Sequence, residues 1–433
     1  MVQIPIDQWV TLAWLFVLGS VVGSFLNVCI YRIPDHEVLW PQLRGLVSPP
    51  SRCPACGCGI RRFDNIPIFG WLRLGGRCRN CRAAISARYP LIELLNGLLF
   101  ALLYLYELPV GLDTRFSDNP FYASSGLDVR GMSMTYQTIL LHARYAYHLV
   151  LIDALIVATF IDIDLRIIPD GCTIPAMFVG VLGGWAFGRF HLAPLWYQDP
   201  SVLSTLKTIL PETWAPLLEG PAIPAWIAGH PHWHGLAVSL AGFLVGGGAI
   251  WTVRLVGKWV LRQEAMGFGD VTLMAMIGSF IGWQPVLAVF FLAPLCALVV
   301  VSVSWVFRRE REVPYGPYLS LGTLIVLFGW NKIWPILEHV FETGPLVPLF
   351  GLFMVVMLVV TLQMIQLVKR LLGIPLYPPE WNEEWTSADQ LSFFAGKKVD
   401  PHQGCWRTDR WPGSDSGRGA VHEQRWRDGR PDE

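Results

Sequence analysis

Charge is scarce in this chain: Lys, Arg, Asp and Glu make up 15% of its 433 residues, while 53% are hydrophobic. A water-soluble domain of that composition would show too much apolar surface to stay dispersed. Also missing is a basic stretch ahead of the first apolar run, so that run is expected to be retained rather than cleaved as a leader. There is no internal repeat and no glycine-rich phosphate loop. Nucleic acid is not an expected partner. Basic residues are nearly absent from two long connections, since 109–137 holds only Arg115 and Arg130, and 190–234 only Lys207.

What is present is blocks of charge between long apolar runs, the pattern of a chain that cannot afford charge in hydrocarbon. A spanning helix needs roughly 20 apolar residues. Runs that meet or approach this begin near 9, 90, 146, 172, 235, 271, 285, 316 and 345, the sixth being short. The expected fold is an all-α polytopic membrane protein of about eight to nine transmembrane helices. A small zinc-ribbon-like loop domain is expected on its cytoplasmic side.

Lysine and arginine set the expected orientation. Residues 33–89 carry nine arginines against Asp35, Glu37 and Asp64. Further basic clusters are Arg254 with Lys258 and Arg262, Arg308 with Arg309 and Arg311, and Lys369 with Arg370. The positive-inside rule then places 33–89, 254–270, 308–315 and the C-terminal tail in the cytoplasm and the N-terminus outside, as nine alternating spans allow. The connections 109–137 and 190–234 become external, and His230, His232 and His234 read as solvated side chains of an interfacial loop rather than metal ligands. From 376 to 433 the chain is polar and aperiodic, the composition of a disordered tail. The stripe Gly242–Ala249 (GFLVGGGA) suits close helix packing in lipid.

Four of the nine cysteines form two C-x-x-C pairs, Cys53/Cys56 and Cys78/Cys81, with 21 residues between. Each pair can offer two thiolates to one face, and together they are expected to complete a closed tetrahedral zinc site with a structural role, the alternative being two reduced or redox-active thiol pairs. Cys58 is near enough to be an alternate ligand. Cys29, Cys172 and Cys296 read as ordinary span residues, and Cys405 has no assignment.

Two acidic motifs close the residue-level reading. The third span ends in Phe160-Ile161-Asp162-Ile163-Asp164-Leu165-Arg166-Ile167-Ile168-Pro169-Asp170, and the sixth opens with Gly267-Phe268-Gly269-Asp270. Both fall on the cytoplasmic side, so Asp162 and Asp270 are expected to meet at one membrane depth. Peptide hydrolysis by a carboxyl pair needs that meeting: one ionised group draws a proton from water while the other, protonated, polarises the scissile carbonyl. Gly267 and Gly269 are expected to let substrate backbone approach. The bland alternative is water-held aspartates at helix ends, the expected state of Asp164 and Asp170. Asp153, inside the span, requires a polar partner.

Five signatures in one order resemble a known family. Gly23-Ser24-Phe25-Leu26-Asn27-Val28 with Arg32-Ile33-Pro34 comes first, then Arg88-Tyr89-Pro90-Leu91-Ile92-Glu93. The Asp162–Asp170 run, Gly267-Phe268-Gly269-Asp270 and Pro314-Tyr315-Gly316-Pro317-Tyr318 follow. Over about residues 18 to 325 the chain is similar to the type 4 prepilin leader peptidases, bifunctional enzymes of the GxGD aspartyl protease class. The resemblance implies catalytic aspartates at Asp162 and Asp270, with Gly267, Gly269, Pro169 and Asp170 in support. It implies prepilin or type II secretion pseudopilin substrates at the cytoplasmic membrane face. A second activity follows from it as well: N-methylation of the new N-terminus with S-adenosylmethionine as donor, associated with the glycine pair Gly75-Gly76. The implied organisation is an N-terminal domain at 18–108, a peptidase membrane domain at 138–325 holding the 190–234 insertion, and an extra span at 326–375. The long external loops, the extra span, the tail and Arg166 depart from the family pattern. The competing readings are a GxGD intramembrane protease without methylation, and a zinc-ribbon scaffold or transporter whose aspartates line an ion path.

Overall fold

The computed structural model describes residues 6–372, apart from 36–37, 48–49, 110, 112–132, 196–199, 215–225, 227–228, 262–265, 308–313, 342 and 344–345. The expected tail at 376–433, Cys405 and most of the 109–137 connection lie outside the described residues. In chain order the helices are α1 (Ile6–Arg32), α2 (Leu39–Gly45), α3 (Phe69–Arg73), α4 (Arg88–Glu107), α5 (Met134–Leu165) and α6 (Asp170–Phe187). They continue with α7 (Pro200–Ile209), α8 (Pro231–Leu261), α9 (Phe268–Ile281), α10 (Trp283–Phe307), α11 (Gly316–Phe341) and α12 (Val347–Leu371). Eight of them are long and apolar enough to cross a membrane. The described residues form an all-α, multi-pass membrane architecture.

The short helix α9 lies at the centre. Its 14 residues reach about 21 Å at 1.5 Å per residue, less than the hydrocarbon thickness. It does not need to reach both surfaces, because protein encloses it: Val271 and every residue from Leu273 to Ile281 are buried. Small residues let α8 lie directly on it. A Cβ on Gly246 would fall 2.5 Å from the Met274 carbonyl oxygen, and one on Gly247 would fall 3.1 Å from the Ala275 Cβ. The glycine stripe therefore packs as its composition predicts. α5, α6, α10 and α11 complete the wrapping of α9, while α1 and α4 form a pair docked on α5. A Cβ on Gly23 would fall 2.8 Å from the Glu93 Cα, and Asn27 Nδ2 donates to the Tyr89 carbonyl at 3.2 Å. The first signature is thus the clasp between α1 and α4.

Several expectations need correction. The third span begins at Met134, not near 146, with Ser133 accepting the Tyr136 N–H as its cap. Hydropathy conceals this helical start because Gln137, His142 and Arg144 lie in it, yet Arg144 is buried beside Glu107 at the end of α4. The connection from 190 is not peripheral at its start. Phe190, His191, Leu192 and Ala193 are buried, and the segment is held by Trp330 Nε1 to the Leu192 carbonyl, Gln284 Nε2 to the Pro194 carbonyl and Trp283 Nε1 to the Leu195 carbonyl. His234 is not solvated either. It is buried and accepts the Leu195 N–H at 3.0 Å, whereas His230 and His232 are exposed. The 325/326 boundary falls inside α11, so the extra span is α12 alone.

Candidate active site: an aspartate pair and a four-cysteine loop

Asp162 sits in the last turn of α5, where Arg166 ends the helix in the left-handed conformation (φ 55°, ψ 35°). Beyond that reversal Ile167 to Pro169 are non-helical, with Pro169 extended (φ −72°, ψ 148°) ahead of α6, which exposed Asp170 opens. Ile168, buried, is the wedge of the site. A Cβ on Gly269 would fall 2.9 Å from its Cβ, and one on Gly316 would fall 3.2 Å from its Cδ1. Asp270 follows Gly269 in the first turn of α9, so Ile168 gathers the ends of α5, α9 and α11 at one level.

Gly316 is the closest partner of Asp162. Its N–H donates to the Asp162 Oδ2 at 2.9 Å, and a Cβ there would lie 2.5 Å from the same oxygen. As the first residue of the 26-residue α11, it puts Asp162 at a helix N-terminus, where the dipole favours negative charge. Asp270 lies close enough for its charge to act on Asp162 and on Tyr315. The Tyr315 phenol is pushed up to about 12, by burial first and by the Asp270 charge second. The Pro314–Tyr318 motif thus reaches both aspartates, a role its sequence did not disclose. Gly269 makes room for Ile168 rather than for a substrate backbone. Among the described residues Gly267 does leave space, since the Asp270 Oδ2 and the Gly269 N, both at 3.9 Å, are the nearest atoms to a Cβ there.

Asp164 is not the water-held residue it was expected to be. It is buried and ion-paired with Arg88 at the start of α4. Arg88 also donates to the Phe160 carbonyl at 3.1 Å and lies 4.7 Å from the Phe160 ring centroid. One arginine therefore grips α5 on both sides of Asp162. Asp153 finds its polar partner in Asn96 of α4.

The segment ending at Arg88 carries the four cysteines. Two near-identical turns hold them: the Cys53 N–H donates to the Cys58 carbonyl and the Cys78 N–H to the Ala83 carbonyl, both at 2.8 Å. Each turn is closed by an isolated antiparallel bridge, Arg52 with Gly59 and Arg77 with Ala84. Each also places the residue after its second cysteine at positive φ, Gly57 at 68° and Arg82 at 61°. The Cys53, Cys56, Cys78 and Cys81 sulfurs lie within 4.8 Å of one another, and the Cys53–Cys81 Sγ separation is 3.7 Å. Four sulfurs about 2.3 Å from one tetrahedral ion lie about 3.8 Å apart, so the group fits a metal ion. Backbone N–H groups favour the thiolates: that of Cys58 lowers Cys56 to about 6, and those of Cys81 and Asn80 lower Cys78. Burial instead pushes Cys53 up to about 12. Cys58 stays outside the cluster and receives the Asn80 side-chain N–H. Cys29, Cys172 and Cys296 are buried in helices, as expected of span residues. Gly75 and Gly76 follow α3 at φ 59° and 66°, a tight turn in which a Cβ on Gly76 would meet the Trp71 ring at 2.9 Å.

Residues 17–106 match the model of the Bacterial Peptidase A24 N-terminal domain, and residues 207–302 match that of the Type IV leader peptidase family. An Escherichia coli O78:H11 protein named type 4 prepilin-like proteins leader peptide-processing enzyme is 30% identical over 322 residues, covering 72% of this chain and 91% of the relative. The chain belongs to the type IV leader peptidase family. Proteins named prepilin leader peptidase/N-methyltransferase from Aeromonas salmonicida (29% identical; 75% of this chain, 93% of the relative) and Pseudomonas aeruginosa (28%; 73% and 89%) are similar too. No solved structure matches the chain. The leader peptidase match at 207–302 takes in Asp270 but starts beyond Asp162, on the far side of the buried Phe190–Ala193 segment. The fold nevertheless closes across that gap, with a Cβ on Gly188 falling 2.5 Å from the Pro231 carbonyl oxygen.

Proposed function

We propose that this chain is a membrane-embedded aspartyl endopeptidase that removes the leader peptide of type 4 prepilins or type II secretion pseudopilins, with Asp162 and Asp270 as its catalytic pair. The observation that carries the reading is two carboxyls, from α5 and α9, held at one level around Ile168 and within reach of each other's charge. Two carboxyls sharing one site titrate in separate steps, which leaves one proton on the pair. The ionised member takes a proton from water as the water oxygen bonds to the scissile carbonyl carbon. The protonated member gives its proton to the carbonyl oxygen. Collapse of that adduct breaks the C–N bond, and a proton passes from the pair to the departing amine. The Gly316 N–H fixes Asp162 throughout, and the open side of Gly267 gives access to Asp270.

The arginine distribution supports a cytoplasmic-face location for this chemistry, with the N-terminus outside. The four cysteines hold zinc in a closed, structural site, giving order to a loop with little core of its own. The names of the relatives support a second activity, methylation of the new N-terminal amine with S-adenosylmethionine as donor. The loop carrying Gly75 and Gly76 is proposed to serve it. Incubating the purified protein with a prepilin peptide and the methyl donor tests both activities by intact mass. Loss of the leader with a gain of one methyl group is expected. An uncleaved peptide would overturn the reading, and a cleaved but unmethylated one would reduce it to proteolysis.

A further inference from the structure

The cysteine loop carries an apolar surface that no other described residue covers. Phe63 is 72% exposed, Ile66 45%, Phe69 70% and Leu72 59%. They form one patch, because α3 and the 3-10 turn Arg62–Asp64 are stacked backbone to backbone, with a Cβ on Gly70 falling 2.9 Å from the Asp64 carbonyl carbon. Two observations fix where this patch lies. The Ile68 N–H, held at the unusual φ 63°, ψ −56°, donates to the Glu93 carboxylate at 2.7 Å. Glu93 is buried, five residues into spanning helix α4. That depth is about 7 Å below the helix start. The tip of the loop is therefore pulled down against the first turns of a transmembrane helix, with its four apolar side chains facing outward.

The charge around the patch is of one sign. Arg61, Arg62, Arg73 and Arg79 are exposed, and the one acidic group among them, Asp64, is already paired with Arg79 at 2.7 Å. Arg61 and Arg73 also lie close enough to act on Asp64. Aromatic and aliphatic side chains ringed by arginines at the edge of a bilayer match the headgroup region of an anionic leaflet.

We propose that the Arg61–Arg73 segment is a membrane-docking element that seats Phe63, Ile66, Phe69 and Leu72 among the headgroups of anionic phospholipids. The element holds the cysteine loop flat on the bilayer beside α4. Its occupancy does not depend on proteolysis, so its test is separable from the proposed function.

The test places a photoreactive benzoylphenylalanine at position 63 or 69 of the full-length protein in nanodiscs of phosphatidylglycerol and phosphatidylcholine. The same probe at Leu298, exposed on α10, marks a lipid-facing control. Phospholipid adducts at 63 and 69, with phosphatidylglycerol over-represented, are the expected result. Arg61→Gln, Arg62→Gln and Arg73→Gln together should lower that adduct at least fivefold, since each basic side chain at an anionic surface strengthens attachment about fivefold. Hydrogen exchange of residues 61–73 in the unmodified protein gives a second reading, slower in phosphatidylglycerol than in phosphatidylcholine alone. Adducts to substrate or to a second copy of the chain, no adduct, or exchange indifferent to lipid charge would each overturn the proposal.

Discussion

The aspartate site and the cysteine loop meet at the Arg88–Asp164 ion pair and are held in shape by opposite means. Asp162, Ile168 and Asp270 owe their positions to buried helices whose glycines bring backbones into contact. The loop from 50 to 87 buries almost nothing; Cys53 and Gly70 are among its few buried residues. Its shape comes from two hydrogen-bonded turns and four convergent sulfurs. The comparison teaches that one site should tolerate loss of the other's support, except where Arg88 joins them.

The largest effect is expected inside the bundle. Gly316→Ala forces a Cβ to 2.5 Å from the Asp162 oxygen, and an ångström of displacement at a catalytic group costs about 100-fold. Leader cleavage by this variant should fall at least that far while methylation of a pre-cleaved peptide persists. The opposite pattern is expected from Cys53→Ser with Cys78→Ser, or from a strong chelator. Methylation should be lost, protease digestion should cut within 50–87, and cleavage should fall less than about tenfold, because tetrathiolate zinc orders only the loop. Arg88→Met probes the join. It leaves the Asp164 carboxylate buried without its cation two residues from Asp162. A drop of about tenfold in kcat with KM little changed is expected, and Arg88→Lys should recover only part because it lacks the planar fork. The smallest effect belongs to Arg82→Gly. Arg82 occupies the positive-φ position that Gly57 fills in the other turn, and relieving it should stabilise the metal-bound loop by about 1 kcal/mol, read as slower metal loss to a chelator.

Much of this arrangement was legible in the chain. The GxGD motif, the Asp162 run and the two C-x-x-C pairs each announce themselves by spacing, and the spans by their apolar length. What stayed hidden depends on tertiary neighbours. Ile168 looks like any span-end isoleucine until Gly269 and Gly316 are seen against it. Asp164 reads as a solvated helix-end acid because its cation, Arg88, is 76 residues away in the sequence. The start of α5 is hidden because Arg144, with its polar neighbours Gln137 and His142, depresses hydropathy while pairing with Glu107 across the helix interface. Phe190–Leu195 reads as loop because it has no helical period, although tryptophan and glutamine side chains of α10 and α11 satisfy its carbonyls inside the bundle.

The account stands on Asp162 and Asp270 acting as one unit, and a cleavage assay on Asp162→Asn, Asp270→Asn and the double variant tests that most directly. Residues that act together lose most of their effect at the first substitution. Each single variant should cut a prepilin peptide at least about 10,000-fold more slowly, with the double no worse than either. Cleavage by either single variant within tenfold of the unmodified protein, or losses that multiply in the double, would contradict it.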